Sequence, residues 1–258
     1  ARAVVAVVHG VMEHSGRYTN VVDALVPRGY AVYALDLRGH GRSPGQRAFV
    51  NSFDEFRADV HAFLAMVRGH ELGLPLFLLG HSMGGLIVLS YVLHENPALQ
   101  GVIASGPALA NNTSPVVRAV GQAVARVAPR LGLSMKKSAA PTLSRDLAVG
   151  AAYLADPLVP DQITVRLGAE IFAGAAWTAA HAAEFRLPLL LLHGGADPLV
   201  PPEGSRRFFA AAGSADKTFH EYPGSLHEIF NETNRAEVLA DVAGWLDQHL
   251  DATASGGV

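Results

Sequence analysis

The stretch "PLFLLGHSMGGLIVL", Pro75 to Leu89, holds Gly80-His81-Ser82-Met83-Gly84 between a strand-like and a helix-like apolar run. A G-x-S-x-G match in a strand–turn–helix setting is what a nucleophile elbow requires. Small residues at Gly80 and Gly84 let strand and helix approach, and the tight turn exposes the Ser82 Oγ at a helix N-terminus. The chemistry on offer is attack by a hydroxyl. A serine hydroxyl is a weak nucleophile until an imidazole takes its proton, and that imidazole needs a carboxylate to fix its tautomer. Behind an elbow serine, the acid and then the histidine should follow in the chain.

The acid poses a choice, because "ADPLVP" occurs at Ala155–Pro160 and again at Ala196–Pro201. Asp197 follows "LPLLLLHGG" and so falls at the carboxyl end of a strand, where loops converge on a site. Asp156 follows an Ala-rich helical stretch and reads as architecture. Asp36 also ends a strand, but it precedes Ser82; with Arg38, His40 and Arg42 nearby it reads as a structural ion pair. Of the later histidines, His220 lies inside a strand pattern and His249 in a helix pattern, whereas His227 lies in the loop "PGSLHEIFNE". Position makes His227 the expected base. His61, His70 and His94 fall in helical patterns and read as surface or packing residues.

Acyl transfer also needs donors for an oxyanion. One is the N–H of Met83, directly after the nucleophile, and the second should come from a loop after an early strand. "HGVMEHSGRY", His9 to Tyr18, is placed to supply it, with His9-Gly10 turning the chain so that the N–H of Val11 faces Ser82. The two His and the Glu of this cluster also raise a zinc site. Their His-x-x-x-Glu-His spacing matches neither usual helical zinc spacing, and Gly10 weakens any helix there, so no metal is expected.

These groups must be mounted on a frame. Short β-rich runs at Ala3–Val8, Tyr30–Leu35, Leu76–Leu79, Val102–Ser105, Leu187–Leu192 and Thr218–Tyr222 alternate with helical patterns near Asn20–Pro27, Phe53–Gly69, Gly85–Glu95, Glu203–Ala212 and Thr233–His249. That alternation predicts an α/β fold, a mainly parallel sheet flanked by helices. Ser52 and Glu55 form a candidate capping box, and Gly29 a helix stop. The alternation breaks from Gly106 to Arg186, a stretch with helical patterns and no clear strand, which reads as an inserted helical cap. The core is then 1–105 and 187–258, and the cap 106–186. In the first cap helix, Val116, Val120, Ala123, Val124, Val127 and Leu131 share roughly one face. From Asn96 to Arg145 there is no acidic residue, yet Arg118, Arg126, Arg130, Lys136, Lys137 and Arg145 are present. A basic amphipathic helix can rest on an anionic membrane surface, lie over an apolar pocket, or simply pack on its own domain. The closing "ATASGGV" reads as a flexible tail.

The bulk properties narrow the classes. The chain has 258 residues, half of them apolar, and a net charge of -3, which leaves no electrostatic footprint for nucleic acid. It has no cysteine, which excludes disulfides, thiolate metal sites and a cysteine nucleophile and fits a cytoplasmic protein. No apolar run is long enough to span a bilayer, and the N-terminus lacks the pattern of a signal peptide. Because the chain opens almost directly on a strand, an upstream segment is expected.

The set "HGVMEHSGRY", "DLRGHGRS", "GHSMGG", "HGGADPLV" and "LHEIFNE" resembles the monoacylglycerol lipase branch of the α/β-hydrolases, notably its actinobacterial members, over nearly the whole chain. The resemblance implies a serine hydrolase that needs no cofactor. It would cleave the fatty acyl chain from a monoacylglycerol at a membrane or micelle surface, beneath a mobile apolar cap. It further implies a glycerol pocket at Glu13, Arg17, Tyr18 and His81, with Tyr153 from the cap. Glu13 and Arg17 read equally well as an ion pair that shapes the oxyanion loop. Members of the family carry a β-hairpin before the strand that opens this chain. The same triad would also serve a lysophospholipase or a broad carboxylesterase, and such a scaffold can carry a non-catalytic lipid receptor. A dehalogenase or epoxide hydrolase would be expected to place Asp where Ser82 stands.

Overall fold

The computed structural model describes residues 1–254, with side chains through Leu250. Six parallel strands form the central sheet in the order β2-β1-β3-β4-β7-β8. They are β1 (Ala3–Val8), β2 (Tyr30–Leu35), β3 (Leu76–His81), β4 (Gly101–Ser105), β7 (Leu189–Gly194) and β8 (Lys217–Tyr222). Strands covered on both faces read as continuous apolar runs, which is why β1, β3, β4 and β7 are buried throughout. Alternate residues serve opposite layers. Val4, Ala6 and Val8 face the layer that contains α2 (Asp54–His70) and α3 (Met83–Glu95). Ala3, Val5 and Val7 face α1 (Thr19–Leu25) and α9 (Arg235–Ala254). The chain passes from β7 to β8 through α8 (Glu203–Ala211).

Residues 106–186 fold as α4 (Pro115–Val127), β5 (Gly132–Ser134), α5 (Lys136–Ala139), α6 (Leu147–Ala155), β6 (Gln162–Thr164) and α7 (Val165–Ala180). The sequence gives no clear strand here, yet β5 and β6 pair antiparallel, Gly132 opposite Thr164. Three-residue strands are too short to show a period of two. The expected apolar face of α4 points outward: Val116, Val120 and Val127 are 72%, 58% and 83% exposed, while Ala125 is buried.

Two local details differ from the sequence reading. Ser52 does not cap α2: Phe53 occupies that position and donates its N–H to Glu170 Oε2 of α7 at 2.9 Å. Glu55 reaches back to the N–H and side-chain amide of Asn51, both at 3.0 Å. The helix end is therefore closed by tertiary contact rather than by a capping box. The tail is the second case, because Ala252–Ala254 continue α9, while 255–258 lie outside the described residues. Gly29 does stop the first helical segment, at φ 87° after a 3-10 turn. Among the described residues, no helix is long and apolar enough to cross a membrane.

Candidate active site

Ser82 joins β3 to α3 with φ 55° and ψ −119°, a conformation that L-residues rarely hold. The turn survives because its neighbours lack side chains. A Cβ on Gly80 would lie 2.3 Å from the Gly84 carbonyl oxygen, and one on Gly84 would lie 2.1 Å from that of Val8. Backbone bonds from Ser82 N–H to the Ser105 oxygen and from Ala108 N–H to the Ser82 oxygen, 2.9 and 3.0 Å, tie the elbow to the end of β4 and the segment after it.

His227, in the loop between β8 and α9, places Nε2 2.9 Å from Ser82 Oγ and Nδ1 2.6 Å from Asp197 Oδ2. The loop after β7 presents Asp197. Its Oδ1 accepts the N–H groups of Leu199 and Val200 at 2.9 and 3.0 Å, and His193 Nε2 lies 3.3 Å from Oδ2. Burial alone would raise the Asp197 carboxyl. The His227 charge and the bonds from His193 and His227 override it and hold the group below the usual carboxylate range. Burial alone would depress His227, but the Asp197 carboxylate holds the imidazole above its ordinary value. An imidazole aligned by a carboxylate and bonded to a serine hydroxyl can act as a general base.

The loop after β1 crosses over this serine: an added Cβ on Gly10 would sit 3.0 Å from Ser82 Cβ. His9 Nε2 accepts the Leu37 N–H at 2.9 Å, so Nδ1 carries the proton and donates it to the Gly10 oxygen at 2.7 Å. Across a trans peptide the next N–H points opposite to that carbonyl. Val11 is therefore oriented through its neighbour's carbonyl, and Val11 and Met83 both line the cavity beside Ser82. Burial lowers His9 to about 3, so the imidazole stays neutral.

The polar residues of this loop form a closed network. Glu13 Oε1 accepts from the Gly10 N–H and from the Tyr18 hydroxyl, the latter at 2.8 Å. Arg17 is held by Glu228, whose two oxygens lie 2.7 and 2.6 Å from Nη2. Arg17 Nε stands 3.6 Å from Glu13 Oε2, without a hydrogen bond, and the guanidinium lies 4.9 Å from the Tyr153 ring centre. Burial and the nearby Glu228 charge lift Glu13 to about 7, although Arg17 pulls the other way. Glu13, Tyr153 and Glu228 line the cavity, and Arg17 sits behind them. His81 is buried with Nδ1 3.2 Å from Ser105 Oγ, its ring 4.8 Å from that of His227; burial and then His227 keep it well below its ordinary pKa. The cavity has a volume of about 430 Å³ and a largely apolar wall that includes Met12, Ala108, Val165, Ile171 and Phe172.

The alternatives weighed from sequence lie elsewhere. Asp156 makes the same local turn as Asp197, with Oδ1 2.8 Å from the Leu158 N–H, but its Oδ2 pairs with His14 at 2.8 Å. Asp36 makes no direct ion pair with Arg38, His40 or Arg42; its carboxylate accepts the backbone N–H groups of Ser15 and Arg42, both at 2.8 Å. Arg38 turns instead to Asp59 and Glu55. His249 pairs with Asp216, and His220 lies 3.7 Å from Asp241. Among the described residues no cluster suits a metal ion.

Four residues the sequence reading did not single out belong to this region. Glu228 holds Arg17, and His193 supports Asp197. Glu232, fully buried, accepts the Leu226 N–H at 2.8 Å and pairs with Arg145 of residues 106–186, anchoring the His227 loop. Arg118, counted only as a basic residue of the cap, lines the cavity with its Nε buried and unpartnered. Glu228 and Glu232 stand in the quoted "LHEIFNE", and His193 in "HGGADPLV". Their signal was adjacency to the expected base and acid.

The family described as serine aminopeptidase S33, a hydrolase family, matches residues 1–234. A protein of Mycolicibacterium smegmatis named "Monoacylglycerol lipase" is 37% identical over 252 residues, covering 96% of this chain and 89% of the relative. The chain belongs to the monoacylglycerol lipase family of serine α/β-hydrolases. The crystal structure of Paleococcus ferrophilus monoacylglycerol lipase superposes with a TM-score of 0.86 at 38% identity, covering 96% of this chain and 95% of that one. Bacillus subtilis "Phospholipase YtpA" is 31% identical over 256 residues, or 96% of each chain.

Proposed function

We propose that the chain hydrolyses monoacylglycerol to glycerol and a free fatty acid through an acyl-enzyme on Ser82. The observation that carries this reading is the relay Asp197–His227–Ser82, at 2.6 and 2.9 Å, in a cavity with an apolar wall and a polar patch at Glu13, Tyr153 and Glu228. His227 removes the Ser82 proton as Oγ attacks the ester carbonyl, and the N–H groups of Val11 and Met83 receive the oxyanion. Collapse of the tetrahedral intermediate breaks the ester bond, and glycerol leaves with the proton from His227. Water, deprotonated by the same imidazole, then attacks the acyl-enzyme and frees the fatty acid. Carboxylate oxygens at Glu13 and Glu228 suit a polyol, whose hydroxyls donate; His81 lines the cavity with them, and Tyr18 and Arg17 support that pocket from behind.

A second reading, hydrolysis of single-chain phospholipids, is favoured by the Bacillus subtilis relative's name. Monooleoylglycerol, lysophosphatidylcholine and short aryl esters, tested beside Ser82→Ala, separate the readings. The expected outcome is preference for monooleoylglycerol, with Ser82→Ala reduced by 10³-fold or more. Wild-type turnover by Ser82→Ala would remove Ser82 from the mechanism, and activity on aryl esters alone would remove the lipid substrate. Binding of lipid without turnover or phosphonate labelling would make the chain a receptor.

We further treat 106–186 as a cap that docks on lipid from the cytoplasm. Outward Val116, Val120 and Val127 on α4 support that placement, as does the cysteine-free composition.

A further inference from the structure

We propose that Glu228 sets headgroup selection: by holding Arg17 Nη2 with both of its carboxylate oxygens, it fits the leaving-group pocket to an uncharged polyol and closes it to a phosphate-bearing glycerol. The inference rests on the monoacylglycerol reading and names the residue that would separate it from turnover of phosphate-bearing lysolipids.

An arginine beside an ester site is ordinarily a phosphate fork, since its planar donors match phosphate oxygens. Here one nitrogen of that fork, Nη2, is engaged by Glu228, and Nε is buried without a hydrogen bond. Nη2 of Arg17 lies within 2.7 Å of both Glu228 oxygens, and Asn231 Nδ2 donates to Glu228 Oε2 at 2.9 Å, which fixes the carboxylate. The Tyr153 ring covers the guanidinium, and Arg17 itself is absent from the cavity wall. Of this network, the residues that line the cavity are therefore Glu13, Tyr153 and Glu228. With both carboxylates ionised, the cluster Glu13, Arg17, Glu228 carries one negative charge. Hydroxyl donors meet acceptors there, whereas a phosphate, which donates little and is anionic, meets like charge in a buried site. Arg118, the one Lys or Arg among the cavity-lining residues, sits on α4 of the cap rather than in this network.

The test uses the full chain in mixed micelles of an uncharged detergent at pH 8, above the value near 7 to which Glu13 is lifted. kcat/KM is measured for 1-oleoylglycerol and 1-oleoylglycerol 3-phosphate in wild type, Glu228→Gln, Glu228→Asp and the double variant Arg17→Gln/Glu228→Gln. Wild type should strongly prefer the neutral ester. Glu228→Gln should shift the ratio towards the phosphate ester by about tenfold or more, the factor that 1.4 kcal/mol represents. Glu228→Asp, which keeps the charge, should stay near wild type, and the double variant should lose the gain. A ratio cancels any general loss of turnover, and phosphonate labelling of Ser82 reports separately on the relay. An unchanged ratio in a Glu228→Gln protein that still labels would overturn the proposal. Should Glu228→Gln fail to fold, product inhibition of wild type decides: glycerol 3-phosphate inhibiting more tightly than glycerol would overturn it, and the reverse order would support it. Wild type inactive on both esters would sink the monoacylglycerol reading, and this proposal with it.

Discussion

Asp197 and Glu13 are both buried carboxylates near His227, and they are displaced in opposite directions. Asp197 meets an imidazole at 2.6 Å and two backbone N–H groups, so its ionised form is favoured despite burial. Glu13 shares its cation with Glu228 and is lifted to about 7. Two pH dependences follow. His227 must be neutral to act as base, and Asp197 holds it above 6.5, so kcat/KM should fall as pH drops through a midpoint above 6.5. A pH–rate profile with its acid limb centred below 6 would contradict the pairing. For stability the sign is separate. A carboxyl whose folded pKa exceeds its unfolded value of 4.5 favours the fold below 4.5, and that contribution is lost as pH rises through 7. Glu13→Gln lacks this loss, so its stability relative to wild type should rise between pH 5 and 8, by on the order of 2 kcal/mol in urea denaturation. A difference independent of pH would mean that Glu13 titrates near its ordinary value. That Ser82, Asp197 and His227 would meet was legible in sequence, because each follows a strand in the required order. Glu228 was not, because its meaning depends on Arg17, which is distant in the chain and reaches it only after folding.

At the level of elements, glycines separate close approach from mere flexibility. Gly84 lets α3 start against β1, and a Cβ there would meet the Val8 carbonyl oxygen at 2.1 Å, a backbone atom that cannot rotate away. Gly84→Ala should cost about 3 kcal/mol, read as a lower urea midpoint. Gly244, inside α9, has nothing within 4 Å of its would-be Cβ, so Gly244→Ala should stabilise by about 1 kcal/mol through helix propensity. Equal midpoints for the two variants would refute the distinction. The same scale shows where sequence reading ends. The strands β1, β3, β4 and β7 were visible as apolar runs, because a buried parallel strand needs no alternation, while the edge strands β2 and β8 showed as β-rich runs. The pair β5 and β6 was invisible at three residues each. The start of α2 was misread because Glu170, from another helix, takes the Phe53 N–H, and Glu55 turns to Asn51 instead of Ser52.

For the whole molecule, the orientation of α4 bears on the proposed contact with a lipid surface. The helix is turned with its apolar stripe outward: Val116, Val120 and Val127 face solvent, while Arg118, Gly121 and Gln122 face the cavity. Water penalises that arrangement and a lipid surface rewards it. Charge acts in the same sense, although less than the composition suggests. Of the six basic residues between Asn96 and Arg145, Lys136 is buried against the Asp156 and Val159 carbonyls, Arg145 is bound to Glu232, and Arg118 lines the cavity. Arg126, Arg130 and Lys137 remain exposed, each worth about 1 kcal/mol near an anionic leaflet. Val120→Asp/Val127→Asp should therefore weaken partition onto vesicles of mixed phosphatidylglycerol and phosphatidylcholine by roughly 30-fold, about 2 kcal/mol for two half-inserted valines. Neither residue lines the cavity, so turnover of a water-soluble aryl ester should be retained. Flotation of wild type and variant with the same vesicles, at low and high salt, gives the answer. Equal partition of the two would show that the outward face of α4 does not carry the contact, and salt-independent binding would remove the basic residues from it.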